Sequence, residues 1–420
     1  MAETQALPAP SNFKIIGLVS GGHFFSHFYA LLLPPLFPLL KAEFGVSYAA
    51  LGLVVTVFSL SSGIGQTPIG FLVDRIGARW ILLGGLVVQG LAIMIMGITG
   101  SYMSLLIFYA IAGLANTVYH PADYSILSAN VAPERLGRAF SLHTFSGNVG
   151  WAIAPAYMVA ISALWDWRAG LVLSGIGGLI MAVVLWSQSS SLRDERDGLR
   201  ESNKSAPGSN DSPEISAASV GGGIALLFSP PILMAFMFFM LIAIGFGAVR
   251  TFSVAALVAI YETPLAVANG ALTGFLVGSA AGILIGGVAA DRFKKPERSA
   301  AIGFIGGAAL LILLGTVSVP IATMVALLTI AGLFNGYVQP SRDLLVRSVT
   351  PEGATGKVFG FVSTGLNVGT AIMPLIFGWI MDNADPRWVF WLAGAIVLST
   401  LLTVGGLGRF RREGERAKSN

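Results

Sequence analysis

With 55% apolar residues, only 11% charged ones and a mean hydropathy of +0.77 over 420 residues, this chain is too poor in charge for a soluble domain, which carries roughly 25%. Its net charge of +4 is small for the length and forms no motif for nucleic acid. The absence of cysteine removes disulfide frameworks and thiolate metal sites.

Residues 1–13 are polar and contain proline, and the apolar stretch that follows is too long for the core of a cleavable signal. Twelve apolar segments then succeed one another, each near the ~20 residues needed to cross a bilayer. Their expected cores are 15–40, 47–73, 80–99, 103–128, 138–162 and 168–187, then 225–258, 266–290, 300–317, 320–346, 357–380 and 387–408. Pro34, Pro35 and Pro38 should bend the end of the first. The polar run 188–222, rich in Ser, Asn, Pro and Gly, reads as a flexible linker. This divides the chain into an N-terminal bundle (1–187), a linker (188–222) and a C-terminal bundle with a tail (223–420).

Loop charge gives the orientation. Arg75, Arg79, Arg135, Arg138, Arg292 and the arginines of the tail lie on one side, against only Lys41, Arg168 and Arg387 on the other. The positive-inside rule then places both termini and the linker in the cytoplasm, expected here of a bacterial-type inner membrane.

One cassette occurs twice: Gly70-Phe-Leu-Val-Asp74-Arg75 and Gly287-Val-Ala-Ala-Asp291-Arg292, 217 residues apart. A second set repeats at 219 residues, with His120-Pro121, Phe140, Asn148-Val149-Gly150 and Pro155 answered by Gln339-Pro340, Phe359, Asn367-Val368-Gly369 and Pro374. Such internal duplication in an apolar chain points to two related halves. Gly70 and Gly287 are expected to let helices approach closely. Asp74 and Asp291 are expected to meet a helix end or an arginine in one gating state only, with Arg75, Arg292 and Arg342 as further gating charges. The bland alternative is solvated loop charge.

These cassettes resemble the signature loop of the major facilitator superfamily, over all but the termini and linker. The resemblance implies an all-α membrane protein with twelve transmembrane helices in two pseudo-symmetric six-helix bundles. Gly22-His23-Phe-Phe-Ser-His27, Pro38 to Gly45, His120-Pro121 and Gly147-Asn148-Val-Gly150 further resemble the fosmidomycin-resistance family. His27, Ala122, Ser125 and His143 depart from that pattern, standing where an acid, Glu, Arg and Gln are usual. The architecture carries over and the substrate does not.

All four histidines fall in apolar segments. His23 and His27, four apart, share a helix face. Ionisable groups at membrane depth mark substrate or proton paths, and histidine titrates near neutrality. Packing against backbone carbonyls is the plainer reading, strongest for His143. A transition-metal site is a third, supported by no carboxylate other than Asp123, and no metal or cofactor is expected. Asp123, three residues past His120, would carry the proton with it, or else pair with Arg135 or Arg138. The repeat sets Arg342 opposite Asp123, as in a salt bridge closing the cytoplasmic side. Arg250, deep in the seventh segment, requires an anion, a carboxylate or water, or else snorkels to the surface.

The expected function is alternating-access secondary transport of a small polar or anionic molecule, in a cavity lined by His23, His27, Asn116, His120, Arg250, Asn335 and Gln339. No P-loop is present, so protons are the expected energy source, with export implied by the resemblance and uptake of an organic anion as the alternative. A membrane sensor or scaffold on the same fold is the rival from another class. No enzymatic constellation stands out. The expected partners are substrate, protons and lipid, not nucleic acid, and the chain is expected to act as a monomer.

Overall fold

The structure, a computed structural model, describes residues 12–192, 224–292, 296–351 and 355–419. Among them twelve helices are long and apolar enough to cross a membrane. The first span is α1 (Asn12–Ala30) and α2 (Phe37–Phe44), joined by a short 3-10 turn at Pro34–Leu36. The prolines act as expected, since Pro38 sits in the first turn of α2, where a missing N–H costs nothing. The N-terminal half continues with α3 (Tyr48–Ile76), α4 (Ala78–Thr99), α5 (Tyr102–Asn116), α6 (Tyr119–Asn130), α7 (Pro133–Leu164) and α8 (Trp167–Ser187). After a single turn, α9 (Ile224–Leu227), the C-terminal half follows as α10 (Pro230–Tyr261), α11 (Leu265–Arg292), α12 (Pro296–Thr316), α13 (Ile321–Ser348), α14 (Thr355–Asn383) and α15 (Trp388–Ser419).

The duplication is visible at the level of single bonds. Asn116 Nδ2 donates to Ser62 Oγ at 3.1 Å, and Asn335 Nδ2 donates to Ser279 Oγ at 3.0 Å. Gly113 lies against the Phe58 carbonyl, and Gly332 against the Phe275 carbonyl, so closely that a methyl group fits at neither. Each partner on the second helix of a half is displaced by 217 residues and each on the fourth by 219. Gly70 and Gly287, by contrast, face open space in this conformation. The close approaches expected there occur instead where helix backbones cross, at Gly113 and Gly332.

One symmetry is broken. The fourth span divides into α5 and α6 at Thr117 and Val118, whereas its counterpart α13 runs through Pro340 unbroken. Pro121 has no N–H to offer the Thr117 carbonyl, and the chain tightens there, with Thr117 N–H donating to the Leu114 carbonyl at 3.3 Å. In α13 the residue four before Pro340 is Gly336, whose backbone is clamped against the Ser279 carbonyl of α11.

The halves meet firmly on the side away from the linker. There the Asp382 carboxylate, near the end of α14, accepts the Tyr48 and Ala49 N–H groups at the start of α3, both at 2.8 Å, and Lys41 Nζ at 3.0 Å. Thr56 Oγ1 donates to the Ala371 carbonyl at 2.8 Å, and Asn269 Nδ2 to the Pro35 carbonyl at 3.2 Å. On the linker side a cavity of about 470 Å³ remains between the halves, walled by Phe140, Thr144 and Asn148 of α7 and by Ile283, Gly287 and Pro340. The halves are therefore bonded at one end of their seam, and the cavity between α7 and α11 lies toward the other.

Candidate functional site

The α5–α6 break sets how the first turns of α6 present their side chains. His120 is exposed toward the centre, while Asp123, one turn on, is fully buried. The expected pairing of these two does not form. Asp123 Oδ2 instead takes His143 of α7, whose Nε2 lies at 2.8 Å, and His23 Nδ1 of α1 approaches the same oxygen at 3.5 Å without hydrogen-bond geometry. His120 and Asp123 sit three apart, about 60° off a common line on a helix of 3.6 residues per turn, which is enough to leave one exposed and the other buried. His143, the histidine read most readily as packing, is thus the direct partner of the carboxylate.

The imidazoles cluster around His23. His23 and His143 lie 3.7 Å apart at 27°, His23 and His27 4.6 Å apart, and His23 and His120 5.2 Å apart by ring centroids. Gly147 makes room for them, because a Cβ there would come within 2.9 Å of the His27 ring and 3.0 Å of His23. Beyond His27, the Trp151 ring follows at 4.1 Å, and the Arg250 guanidinium of α10 stands over Trp151 at 4.6 Å. Arg250 is half-buried and makes no ion pair with any described residue. It therefore does not snorkel to the outer surface; it crosses from the C-terminal half to an aromatic face of the N-terminal half, a cation–π contact.

Asp123 Oδ1, His143 Nδ1, His23 Nδ1 and His27 Nδ1 are buried with no hydrogen-bond partner. A carboxylate in such surroundings is costly as a lone charge, and the contact with His143 offsets part of that cost. His23, Asp123 and His143 could also converge on a cation, their ligand atoms lying within 4.8 Å of one another. His143 Nε2 and Asp123 Oδ2 already face each other at hydrogen-bond distance.

The other expected site residues divide. Asn116 makes three side-chain bonds: its Oδ1 accepts from Ser26 Oγ at 2.7 Å and Gln89 Nε2 at 3.2 Å, while its Nδ2 donates to Ser62 Oγ at 3.1 Å. It ties the first four spans together. Asn335 makes the single bond to Ser279, and Gln339 is half-buried on α13. Arg342 does not bridge to Asp123. It pairs with its neighbour Asp343 at 2.8 Å and lies over Phe239 at 4.6 Å, contacts on its own half that hold it away from the interface. Nor does Asp123 pair with Arg135 or Arg138, which are exposed on the linker side. Arg75 and Arg292 end α3 and α11, whereas the side chains of Asp74 and Asp291 lie outside the described residues. Trp151 was not anticipated, since a tryptophan in an apolar helix reads as packing. The signal was the four-residue spacing of His143, Gly147 and Trp151, which puts all three on one stripe of α7.

The pattern of the Major Facilitator Superfamily matches residues 19–263 and 245–420. The fosmidomycin resistance protein of Escherichia coli (strain K12) is 23% identical over 414 residues, covering 96% of this chain and 95% of that protein. The membrane sensor protein UhpC of the same organism is 23% identical over 385 residues, covering 88% and 85%. Among solved structures, a bacterial homologue of the human lysosomal transporter Spinster superposes with a TM-score of 0.71 at 14% identity, covering 98% of each chain. The nucleoside transporter NupG superposes with a TM-score of 0.74 at 12% identity, covering 94% of this chain and 99% of that one.

Proposed function

The chain belongs to the Major Facilitator Superfamily, and from that membership we propose that it moves a small anionic molecule across the membrane in exchange for, or together with, protons. It is a secondary transporter and an integral multi-pass membrane protein, not an enzyme. The observation that carries the anion reading is Arg250, a guanidinium between the halves whose charge meets an aromatic ring and no carboxylate of a described residue. Its planar donors suit a carboxylate, phosphate or phosphonate. His27, His120, Asn335 and Gln339 are the other proposed substrate-contacting groups. The buried Asp123–His143 pair, reached through His23, is the proton-holding group, with His120 at the cavity side.

Alternating access supplies the rest. Asp74, Arg75, Asp291, Arg292 and Arg342 on the linker side balance the two states, and Asp382 secures the opposite side. The likeness to the fosmidomycin resistance protein supports export, and the likeness of 35% of this chain to a protein named as a probable hexose phosphate transport protein supports an organic anion as substrate, with uptake as the alternative direction. We place the protein in a bacterial-type inner membrane as a monomer, with linker and termini cytoplasmic. A sensor role is supported by the likeness to UhpC, and flux separates it from transport.

The test uses proteoliposomes with fosmidomycin and glucose 6-phosphate as probes. An imposed pH gradient should drive net movement of one of them. Asp123→Asn and His143→Gln should abolish the drive while exchange persists. Binding without any flux would favour the sensor, and flux indifferent to the gradient would remove proton coupling.

A further inference from the structure

A continuous run of side chains joins the two sites just described. From the N-terminal half it passes through Asp123, His143, His23, His27 and Trp151, and it ends on Arg250 of the C-terminal half. Each step is a direct contact, and Trp151 is the step at which the run crosses between halves.

Resting on the proposed coupling of an anion to protons, we propose that Trp151 is the positioning residue that makes the two binding events cooperative, by holding the Arg250 guanidinium and the His27 imidazole against one ring. The two centroid distances, 4.1 Å and 4.6 Å, place His27 and Arg250 within about 9 Å of each other. Two positive charges at that separation, in a partly buried site, disfavour one another by roughly tenfold or more in occupancy. While Arg250 is bare, its charge resists a proton on His27. An anion on Arg250 cancels that charge, and the proton becomes easier to add.

The ring enforces the effect in two ways. Its bulk keeps water out of the gap, where screening would erase the interaction. Its face also attracts whichever cation is present, so a guanidinium drawn away by an anion leaves that face to an imidazolium. His27 is suited to this part because its Nδ1 is buried without a partner. The titratable and charged groups that act on it are His23 on its own helix, His120 of α6, His143 of α7 and Arg250 of α10, with Asp123 behind His23 and His143. Arg250 is the permanently charged one among them, so it sets the sign. Binding of anion and proton therefore reinforce each other, which is the requirement for carrying both in the same direction; exchange would require mutual exclusion.

The experiment needs no substrate. The chain has only four histidines, so their ring nitrogen resonances can be assigned by single His→Gln changes in nanodiscs. At a fixed pH on the titration curve, the ratio of protonated to neutral His27 should rise roughly tenfold in Arg250→Gln and stay unchanged in Arg250→Lys. In a Trp151→Ala background the Arg250→Gln effect should shrink to twofold or less, and in Trp151→Phe it should be retained. An unchanged ratio in folded Arg250→Gln overturns the cooperativity. A full tenfold effect in the Trp151→Ala background overturns the role of Trp151. Failure of gradient-driven flux with these ratios intact would instead count against the transport reading alone.

Discussion

Replacing Asp382 by Asn should tip the protein toward the state open on the side away from the linker. In this conformation the carboxylate accepts the Tyr48 and Ala49 N–H groups at 2.8 Å each, at the first turn of α3, where the helix dipole also favours a negative charge. Hydrogen bonds to a charged group contribute about 1.5–3 kcal/mol each. The Lys41 partner is 39% exposed, so that ion pair adds no more than about 1 kcal/mol. Asparagine can still accept one of the two N–H groups but loses the charge and the second acceptor. The net loss is about 2 kcal/mol, which shifts the population ratio about 30-fold. The absence of cysteine makes the measurement direct: spin labels at Met103, exposed at the start of α5, and Val317, exposed just past the end of α12, report the opening on that side. In Asp382→Asn the long-distance population should grow, and in Lys41→Gln it should change less than about fivefold. An unaltered distance distribution in folded Asp382→Asn would refute the latch.

Arg250→Ala should weaken anion binding by at least about tenfold, with Arg250→Lys between the two because it keeps charge and loses the fork; equal thermal shifts for all three proteins, with the probe anion present, would contradict this. Asn116→Ala breaks three side-chain bonds and should cost about 1–3 kcal/mol. Asn335→Ala breaks one and should cost about 1 kcal/mol, so the first variant should melt at the lower temperature in detergent. Gly147→Ala should displace the His23 and His27 rings, visible as altered histidine resonances in an otherwise folded protein. Asp74→Asn should slow turnover while probe binding stays within a few fold, and loss of binding with normal exchange would count against a gating role.

The duplicated cassettes carried the architecture, because the offset that aligns Asp74 with Asp291 also aligns Ser62 with Ser279, and the offset that aligns Pro121 with Pro340 also aligns Asn116 with Asn335. Segment positions followed from apolar length alone. The site was only half legible. Histidines in apolar segments announced a polar centre, but periodicity places a residue on a face and does not choose its partner. Asp123 lay three residues from His120 in sequence and bonded to His143, twenty residues away on another helix. Arg342 aligned with Asp123 by repeat and was held instead by Asp343 and Phe239. The Lys41–Asp382 contact spans 341 residues, and no local pattern could have signalled it.

Pro121 and Pro340 occupy equivalent places, yet one interrupts its span and the other does not. The consequence is mechanical. The C-terminal half, with α13 continuous and clamped to α11 at Gly336, can act as a stiff lever that transmits rotation without deforming. The N-terminal half has a joint at Thr117–Val118, directly above the turn that carries His120 and Asp123. A rocking motion of two bodies with unequal compliance concentrates its bending in the softer one. Each swing of the transport cycle would then flex the helix bearing the proton-holding carboxylate, while the arm bearing Arg250 moves as a solid piece.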